Sequence, residues 1–201
     1  MRNSIGVGLI GMGVVGSGVA KTITENSTVL HGHVGLPLNL VKVAVRDTSK
    51  QRDFMVAQKI LGDSPEDLIN DESVNIVVEL MGGEYPALEF ILAAVKNGKH
   101  VVTANKEVIS KHGAEIFSLA RDNNVRVLFE ASVGGGIPII SPLMRDLVAN
   151  DIKSIKAIIN GTTNYILTRM ANEQADYQEV LQEAQKLGYA ESDPTSDVEG
   201  I

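Results

Sequence analysis
"IGVGLIGMGVVGSGVA", residues 5–20, decides how the rest of the chain is read. Its first six residues are an apolar run rich in Ile and Val, as a buried strand requires, and the run ends on glycines at positions 11, 13 and 16. The continuation "VVGSGVAKTITEN" has helical spacing, with a polar face around Lys21 and Glu25. Gly11, Gly13 and Gly16 thus form G-x-G-x-x-G between a strand and a helix. There the glycines permit a tight turn, bring bare backbone N–H groups against a pyrophosphate, and let the helix pack close to the strand. The phosphate charge then meets the positive end of the helix. A tight turn without a ligand would use the same glycines, but the strand–turn–helix setting at the N-terminal end favours dinucleotide binding.

Outward from this turn, strands and helices alternate. "HGHVGLPLNL" (residues 31–40) reads as a long loop containing Gly and Pro, and "LVKVAVRD" (residues 40–47) as the next buried strand. A helix is expected over "DFMVAQKILG" (residues 53–62), and another from "SPEDLIN", with Ser64 as N-cap and Pro65 at the first helical position. "SVNIVVELMGG" reads as a strand ending on two glycines and "YPALEFILAAVKNG" as a helix closed by Gly98. "KHVVTANK" is then a strand, "EVISKHGAEIFSLARDNN" a helix and "VRVLFEAS" a strand. No hairpin signal interrupts the alternation, so the sheet is parallel with helices on both faces. The expected fold is α/β, a doubly wound (Rossmann) parallel sheet over residues 1–130, followed by the start of a second α/β domain over residues 131–201. That second part opens with a glycine-rich hinge, "VGGGIPIISPL", leading into a helix near residues 141–149. "IKSIKAIINGTTNYILTRMA" reads as a strand and then a helix, and "YQEVLQEAQKLGYA" as an amphipathic helix capped at Gly188.

Composition removes several classes of function. With 201 residues, 44% of them hydrophobic, the chain can bury a core. A formal net charge of -7 and no cluster of Lys and Arg argue against a nucleic-acid surface. No cysteine is present, which excludes disulfides, thiolate zinc sites and a Cys nucleophile of the kind an acylating semialdehyde dehydrogenase needs, and fits a reducing cytoplasm. No uninterrupted apolar run reaches the roughly 18 to 20 residues of a membrane span. His31 and His33 form H-x-H in the expected loop without a third ligand at metal spacing, and His100 and His112 read as structural.

The end of the second strand bears on the choice of cofactor. An acidic residue there bonds the ribose hydroxyls of NAD, whereas Arg46 can meet the 2′-phosphate of NADP. Arg46 favours NADP. Asp47 follows at once, and can take the ribose or pair with Arg46. Gly82 in "LMGG", and Thr103 and Lys106 in "TANK", lie at the carboxyl ends of later strands, where α/β sheets bind ligands. Lys106 can be a surface residue that opens a helix, or can contact nicotinamide or substrate.

"GLIGMGVVGSGV", "VVTANKEVISKHG", "FEASVGGGIPII", "NGTTNYIL" and "AQKLGYAESDPTSDVEG", in this order and spacing, resemble homoserine dehydrogenase of the monofunctional type. The first motif is common to many dehydrogenases; the last three are much more specific. The resemblance implies reversible NAD(P)-dependent interconversion of L-homoserine and L-aspartate 4-semialdehyde, in the branch leading to threonine, methionine and isoleucine. It also implies a homodimer of the full-length protein. Carried over by residue, Gly11, Met12, Gly13, Val14, Val15 and Gly16 would hold the dinucleotide, and Lys106 would stand between cofactor and substrate. Glu130, Val133, Gly135 and Ile137 would bind a monovalent cation, sodium, through oxygens that the glycine loop turns inward. Glu191 would pair with the substrate ammonium in a charge-assisted bond, with Asp197 close by. "NGTTN" is either a helix start capped by Thr162 or Thr163, or a lining of the substrate pocket.

The terminal stretch "AESDPTSDVEGI" sets Glu191, Asp193, Asp197 and Glu199 around a helix-breaking Pro194. In the family this loop runs into a helix with a further Asp and a catalytic Lys, so the sequence is expected to be cut short within its active site. A module that senses NAD(P) without chemistry is the alternative.

Overall fold
The computed structural model describes residues 3–190 and 194–199. It divides into two compact units, one ending at Val148 and the other beginning at Ala149.

In the first unit the apolar runs become β1 (Ile5–Ile10), β2 (Leu38–Ala44), β3 (Leu61–Gly62), β4 (Ile76–Glu79), β5 (His100–Thr103) and β6 (Val127–Leu128). All pair in parallel, in the order β3-β2-β1-β4-β5-β6. This is the doubly wound sheet the alternation predicts, and its direction of growth reverses between β1 and β4. Both faces are covered. Val7, Leu9, Val43 and Val78 join Ala20 and Ile23 of α1 (Val14–Glu25) in one cluster. Ile10, Val77 and Val101 pack on the other face with α3 (Pro65–Ile69), α4 (Ala87–Lys96) and α5 (Lys106–Asp122). Alternate residues of β1 thus point to opposite cores, as the two-residue period of a strand dictates.

Helix α3 starts as expected: Pro65 is its first residue, and the Ser64 hydroxyl accepts the amide hydrogen of Asp67 at 3.0 Å. Elsewhere local structure departs from the sequence reading. Residues 27–34 form α2 (Ser27–Val34), ended by Gly35 in the left-handed conformation, so His31 and His33 lie in a helical last turn and not in a loop. Residues 53–62 are not an α-helix but an irregular segment, a 3-10 turn (Gln58–Ile60) and the edge strand β3. The reason is visible in the side chains. Phe54 and Val56 pack inward while Met55 between them is 67% exposed, an alternation that belongs to extended chain.

The last strand of the sheet is short. After Leu128 the backbone turns into a 3-10 turn (Glu130–Ser132), and the expected helix near residues 141–149 is a single π-helical turn (Pro142–Asp146).

In the second unit, α6 (Gly161–Glu173) and α7 (Tyr177–Lys186) form an antiparallel pair closed around Ile166, Val180, Ala184 and Ala190. Gly188 ends the α7 segment in the left-handed conformation, and a short helix, α8 (Thr195–Glu199), follows. The strand expected before α6 does not form: residues 152–159 carry no regular structure, and Ile155, Ile158 and Ile159 are exposed. A strand needs a neighbour to satisfy its ladder, and among the described residues none lies beside it. No described helix is long and apolar enough to cross a membrane.

Asp71 ties the turn before β4 to β2. Its carboxylate accepts the Ser73 hydroxyl and amide and stands 2.9 Å from Lys42 Nζ, which together hold its pKa at about 2. A folded-state pKa below the unfolded value of about 3.9 contributes stability above that value and loses it as pH falls toward 2. Asp71→Asn is therefore expected to lower the urea midpoint at pH 7, with the gap to wild type narrowing from pH 4 downward. A gap that stays constant from pH 7 to pH 3 would contradict this.

Candidate functional site
The crevice at the carboxyl edge of the sheet is built on the glycine turn. Gly11 donates to the Ala44 carbonyl at the end of β2 and has φ +90. A Cβ there would lie 2.7 Å from the Leu80 carbonyl oxygen and 3.1 Å from the Met81 nitrogen. Glycine is thus required twice, for its conformation and for the approach of β1 to the chain leaving β4. At Gly16 a Cβ would come within 2.3 Å of the Gly11 carbonyl oxygen, so α1 seats directly on the turn. Gly13, by contrast, faces open space and is the N-cap of α1, with no side chain capping the helix. Val14 and Val15 in the first turn are 87% and 58% exposed. Met12 is buried beneath the turn. A helix start left uncapped, with its amides open to the crevice, is suited to a phosphate.

The loop after β2 brings positive charge to the same edge. Arg46 is exposed and has no hydrogen-bond or ion-pair partner among the described residues. Asp47 does not pair with it. Its Oδ1 accepts the Ser49 hydroxyl and amide at 2.6 and 2.8 Å, bonds that hold the carboxyl below its usual range. Sequence reasoning overlooked Arg52, which reaches back over the turn. Its Nε donates to the Met12 carbonyl at 3.2 Å, Nη1 to Lys50 and Nη2 to Asp47, each at 2.7 Å. All three acceptors are neutral carbonyls, so the guanidinium is oriented without a direct ion pair, while the Asp47 carboxylate acts on it through space. No motif announces this residue; only the folded loop aligns it with the turn.

The loops after β4 and β5 close the other side. Gly82 and Gly83 both adopt positive φ and are exposed. Thr103 is fully buried, its hydroxyl donating inward to Glu79 Oε2 at 2.6 Å. Asn105 caps α5 by accepting the Val108 amide hydrogen, and its Nδ2 donates to the Gly83 carbonyl at 2.7 Å. Lys106 is the first residue of α5, exposed and without a partner among the described residues. An ammonium at the positive end of a helix is electrostatically unfavourable, which favours a functional reading of Lys106 over a structural one. His100 Nδ1 accepts the Arg126 amide hydrogen, and His112 Nε2 lies 2.7 Å from Glu84, the structural roles expected of both.

The glycine-rich segment beyond β6 is folded around Glu130. Its carboxylate accepts the amide hydrogens of Ile139, Ile140 and Ser141 at 2.6, 2.9 and 2.7 Å, which lower its pKa despite partial burial. Gly134 and Gly135 are left-handed, and the carbonyls of Val133, Gly135 and Ile137 accept no hydrogen bond among the described residues. No cluster of three or more His, Cys, Asp or Glu side chains within reach of one metal ion occurs among the described residues.

In the second unit, Asn160 and not a threonine caps α6, taking the Thr163 amide hydrogen on Oδ1. Its Nδ2 donates to Asp197 Oδ1 at 2.9 Å. Thr162 Oγ1 lies 2.6 Å from the Tyr189 carbonyl oxygen and 3.0 Å from Asp197 Oδ2. The "NGTTN" and "SDVEG" stretches therefore meet at one carboxylate. Glu191 lies outside the described residues.

Residues 11–130 match the family model for the NAD binding domain of homoserine dehydrogenase, and residues 138–201 match the homoserine dehydrogenase model itself. The chain belongs to the homoserine dehydrogenase family. A homoserine dehydrogenase of Bacillus subtilis (strain 168) is 44% identical over 198 residues, 98% of this chain and 46% of its own length. The crystal structure of a homoserine dehydrogenase from Thiobacillus denitrificans superposes with a TM-score of 0.89 at 45% identity, covering 98% of this chain and 46% of that one. A hyperthermophilic archaeal homoserine dehydrogenase in complex with NADPH superposes with a TM-score of 0.82 at 31% identity, covering 98% and 66%. The chain thus spans about half the length of the first two relatives. It carries the family's NAD(P)-binding domain on the glycine turn described above.

Gly11→Ala tests that turn, because its methyl group would meet two backbone atoms that cannot step aside. NADPH affinity, followed by nicotinamide fluorescence, is expected to fall about tenfold or more, the equivalent of about 1.4 kcal/mol. A variant that binds within threefold of wild type would remove the turn from the binding site.

Proposed function
We propose that the protein carrying this chain is an NADP-dependent homoserine dehydrogenase that interconverts L-homoserine and L-aspartate 4-semialdehyde in amino-acid biosynthesis. One observation carries the reading: a glycine-turn crevice suited to a dinucleotide stands in the same chain as a segment matching the family beyond its cofactor domain. On this reading residues 1–130 hold the cofactor and residues 131–201 belong to the substrate and dimerisation domain. The test is NADPH oxidation with L-aspartate 4-semialdehyde by the protein expressed from its complete reading frame. No turnover, with NADPH binding intact, would leave the sensor as the better account.

The pyrophosphate would sit over Gly11, Met12 and Gly13, on the open amides of Val14, Val15 and Gly16. Arg46 and the oriented Arg52 support a 2′-phosphate beside them, and hence NADP over NAD. The archaeal relative that holds NADPH supports the same choice. Gly82 and Thr103 flank the nicotinamide end, Gly82 through its exposed backbone and Thr103 by setting the β5 loop. A nicotinamide bound there would supply the hydride acceptor for the hydroxyl-bearing carbon of homoserine, and the hydride donor in the reverse direction. Lys106 would position the oxygen on that carbon, and the hydroxyl proton would pass to the lysine that the family carries in the helix after the terminal loop. Glu191 and Asp197 would hold the substrate ammonium.

A monovalent cation, sodium, fits the loop from Glu130 to Ile137. The unpaired carbonyls of Val133, Gly135 and Ile137 are hard oxygen donors of the kind such an ion takes, and one lone-pair site on the Glu130 carboxylate is left over from its three amide bonds. The same reading has the protein act as a homodimer in the cytoplasm. The exposed Ile155, Ile158 and Ile159 support a protein contact, and the absence of cysteine supports a reducing compartment.

Two outcomes are expected. Arg52→Ala weakens NADPH by about tenfold while leaving NADH within about twofold, as loss of one charge-assisted contact to the 2′-phosphate implies; tenfold tighter binding of NADH than NADPH by the wild type would overturn the NADP assignment. Lys106→Ala lowers turnover by about 100-fold or more, the scale of lost acid–base or electrostatic assistance, and turnover within threefold of wild type would take Lys106 out of the site.

A further inference from the structure
The geometry points to Glu79 as the positioning residue of the dinucleotide crevice: its buried carboxylate, acting through Thr103 and Asn105, holds the loops after β4 and β5 in register with the glycine turn. The inference rests on the dinucleotide reading of that crevice.

Glu79 closes β4 and is fully buried, in a strand whose neighbouring residues are Val77 and Val78. No Lys, Arg or His forms an ion pair with it among the described residues. A valine would fill such a position without the desolvation penalty of a carboxylate, so the carboxylate must supply something an apolar side chain cannot. It supplies acceptors to two neighbouring strand ends. Oε1 takes the Met81 amide hydrogen at 2.7 Å, and Oε2 takes the hydroxyl hydrogen of Thr103, its register partner on β5, at 2.6 Å. With its hydrogen committed to Glu79, Thr103 Oγ1 offers a lone pair to the Asn105 amide at 2.9 Å. Asn105 then caps α5 and grips the Gly83 carbonyl.

Each end of this relay touches a part of the crevice. The Leu80–Met81 peptide fixed by Oε1 is the surface on which Gly11 packs. The Gly83 carbonyl held by Asn105 ends the Gly82–Gly83 turn, and Lys106 is the residue after that cap. One carboxylate thus sets the wall behind the glycine turn, the left-handed pair at Gly82 and Gly83, and the start of the helix that presents Lys106. Glu79 reaches cofactor only through these groups.

The test uses the protein from its complete reading frame, with Glu79→Gln, Thr103→Val, Thr103→Ser and the double variant Glu79→Gln/Thr103→Val. NADPH affinity is read by fluorescence, and amide hydrogen exchange at Met81, Asn105 and Val108 is read alongside. Glu79→Gln replaces one acceptor oxygen by a donor. It is expected to weaken NADPH by about 10- to 100-fold, the scale of losing a hydrogen bond to a charged group, and to speed exchange at Met81 and Asn105 together. Thr103→Val, which is isosteric and carries the test alone should Glu79→Gln fail to fold, gives the same loss. Thr103→Ser, which keeps the hydroxyl, recovers affinity to within about threefold of the parent, and the double variant is no weaker than the worse single one, as members of one relay require. Affinities of Glu79→Gln and Thr103→Val within twofold of the parent overturn the inference, as does unchanged exchange at Asn105. A parent protein that binds no NADPH refutes the dinucleotide reading instead, and exchange at Asn105 in the variants then decides the relay by itself.

Discussion
The contact on which this fold turns is one between two backbones. β1 and β4 lie side by side, Leu80 donates to the Ile10 carbonyl at 2.8 Å, and Gly11 leaves β1 so close to the Leu80–Met81 peptide that no side chain fits between them. The sheet grows in opposite directions from this pair, so the connections leave in opposite directions and a crevice opens above it. Gly16 extends the same constraint by seating α1 on the Gly11 carbonyl, which aims the helix start at the opening. A methyl group at either glycine would lift one element from another, and the crevice would lose its shape before any ligand contact was touched.

Charge is arranged locally against the grain of the whole chain. A net charge of -7 suits neither a phosphate nor a nucleic acid, yet the crevice edge carries Arg46, Arg52 and the positive end of α1. The Asp47 carboxylate is held by Ser49 and acts on Arg52 through space, without a direct ion pair. Bulk charge excludes an extended polyanion; it says little about one dinucleotide held by a few oriented groups.

The sheet was legible in sequence because each central strand is an apolar run with a turn signal at its end, and because alternation with helices leaves a parallel arrangement as the natural solution. Helix starts with a capping side chain, Ser64 for α3, were legible for the same local reason. The misread segments are those where local pattern and tertiary context disagree. Val56 and Ile60 have the four-residue apolar spacing that a helix could also use, but the open edge of β2 draws Leu61 and Gly62 into the sheet. Gly32 and Gly35 suggested a loop, whereas the first is tolerated inside α2 and only the second ends it. Residues 152–159 have strand composition with no paired neighbour among the described residues. Of the candidate site, the glycines and Lys106 could be placed from motif and strand end, but Arg52 and Asn105 could not. Their roles depend on which carbonyls the fold brings within reach. Glu79 did leave a trace, a lone acid inside "IVVEL", the pattern of a charge buried on purpose.

Arg52, Asp197 and Glu79 share one physical device. Each is a charged side chain fixed by neutral dipoles: Arg52 by three carbonyls, Asp197 by the side-chain amide of Asn160, Glu79 by an amide and a hydroxyl. An opposite charge would have held each in place as firmly, but it would also have cancelled the field. Dipoles orient a side chain and leave its net charge unspent, so an exposed group anchored in this way is preorganised for a ligand of opposite sign. Arg52 and Asp197 are both half-buried and held in this way. Glu79, sealed in the core, can present its charge to no ligand, and for that reason its anchoring bonds are themselves its contribution: with nothing to bind, it can only hold the loops that do.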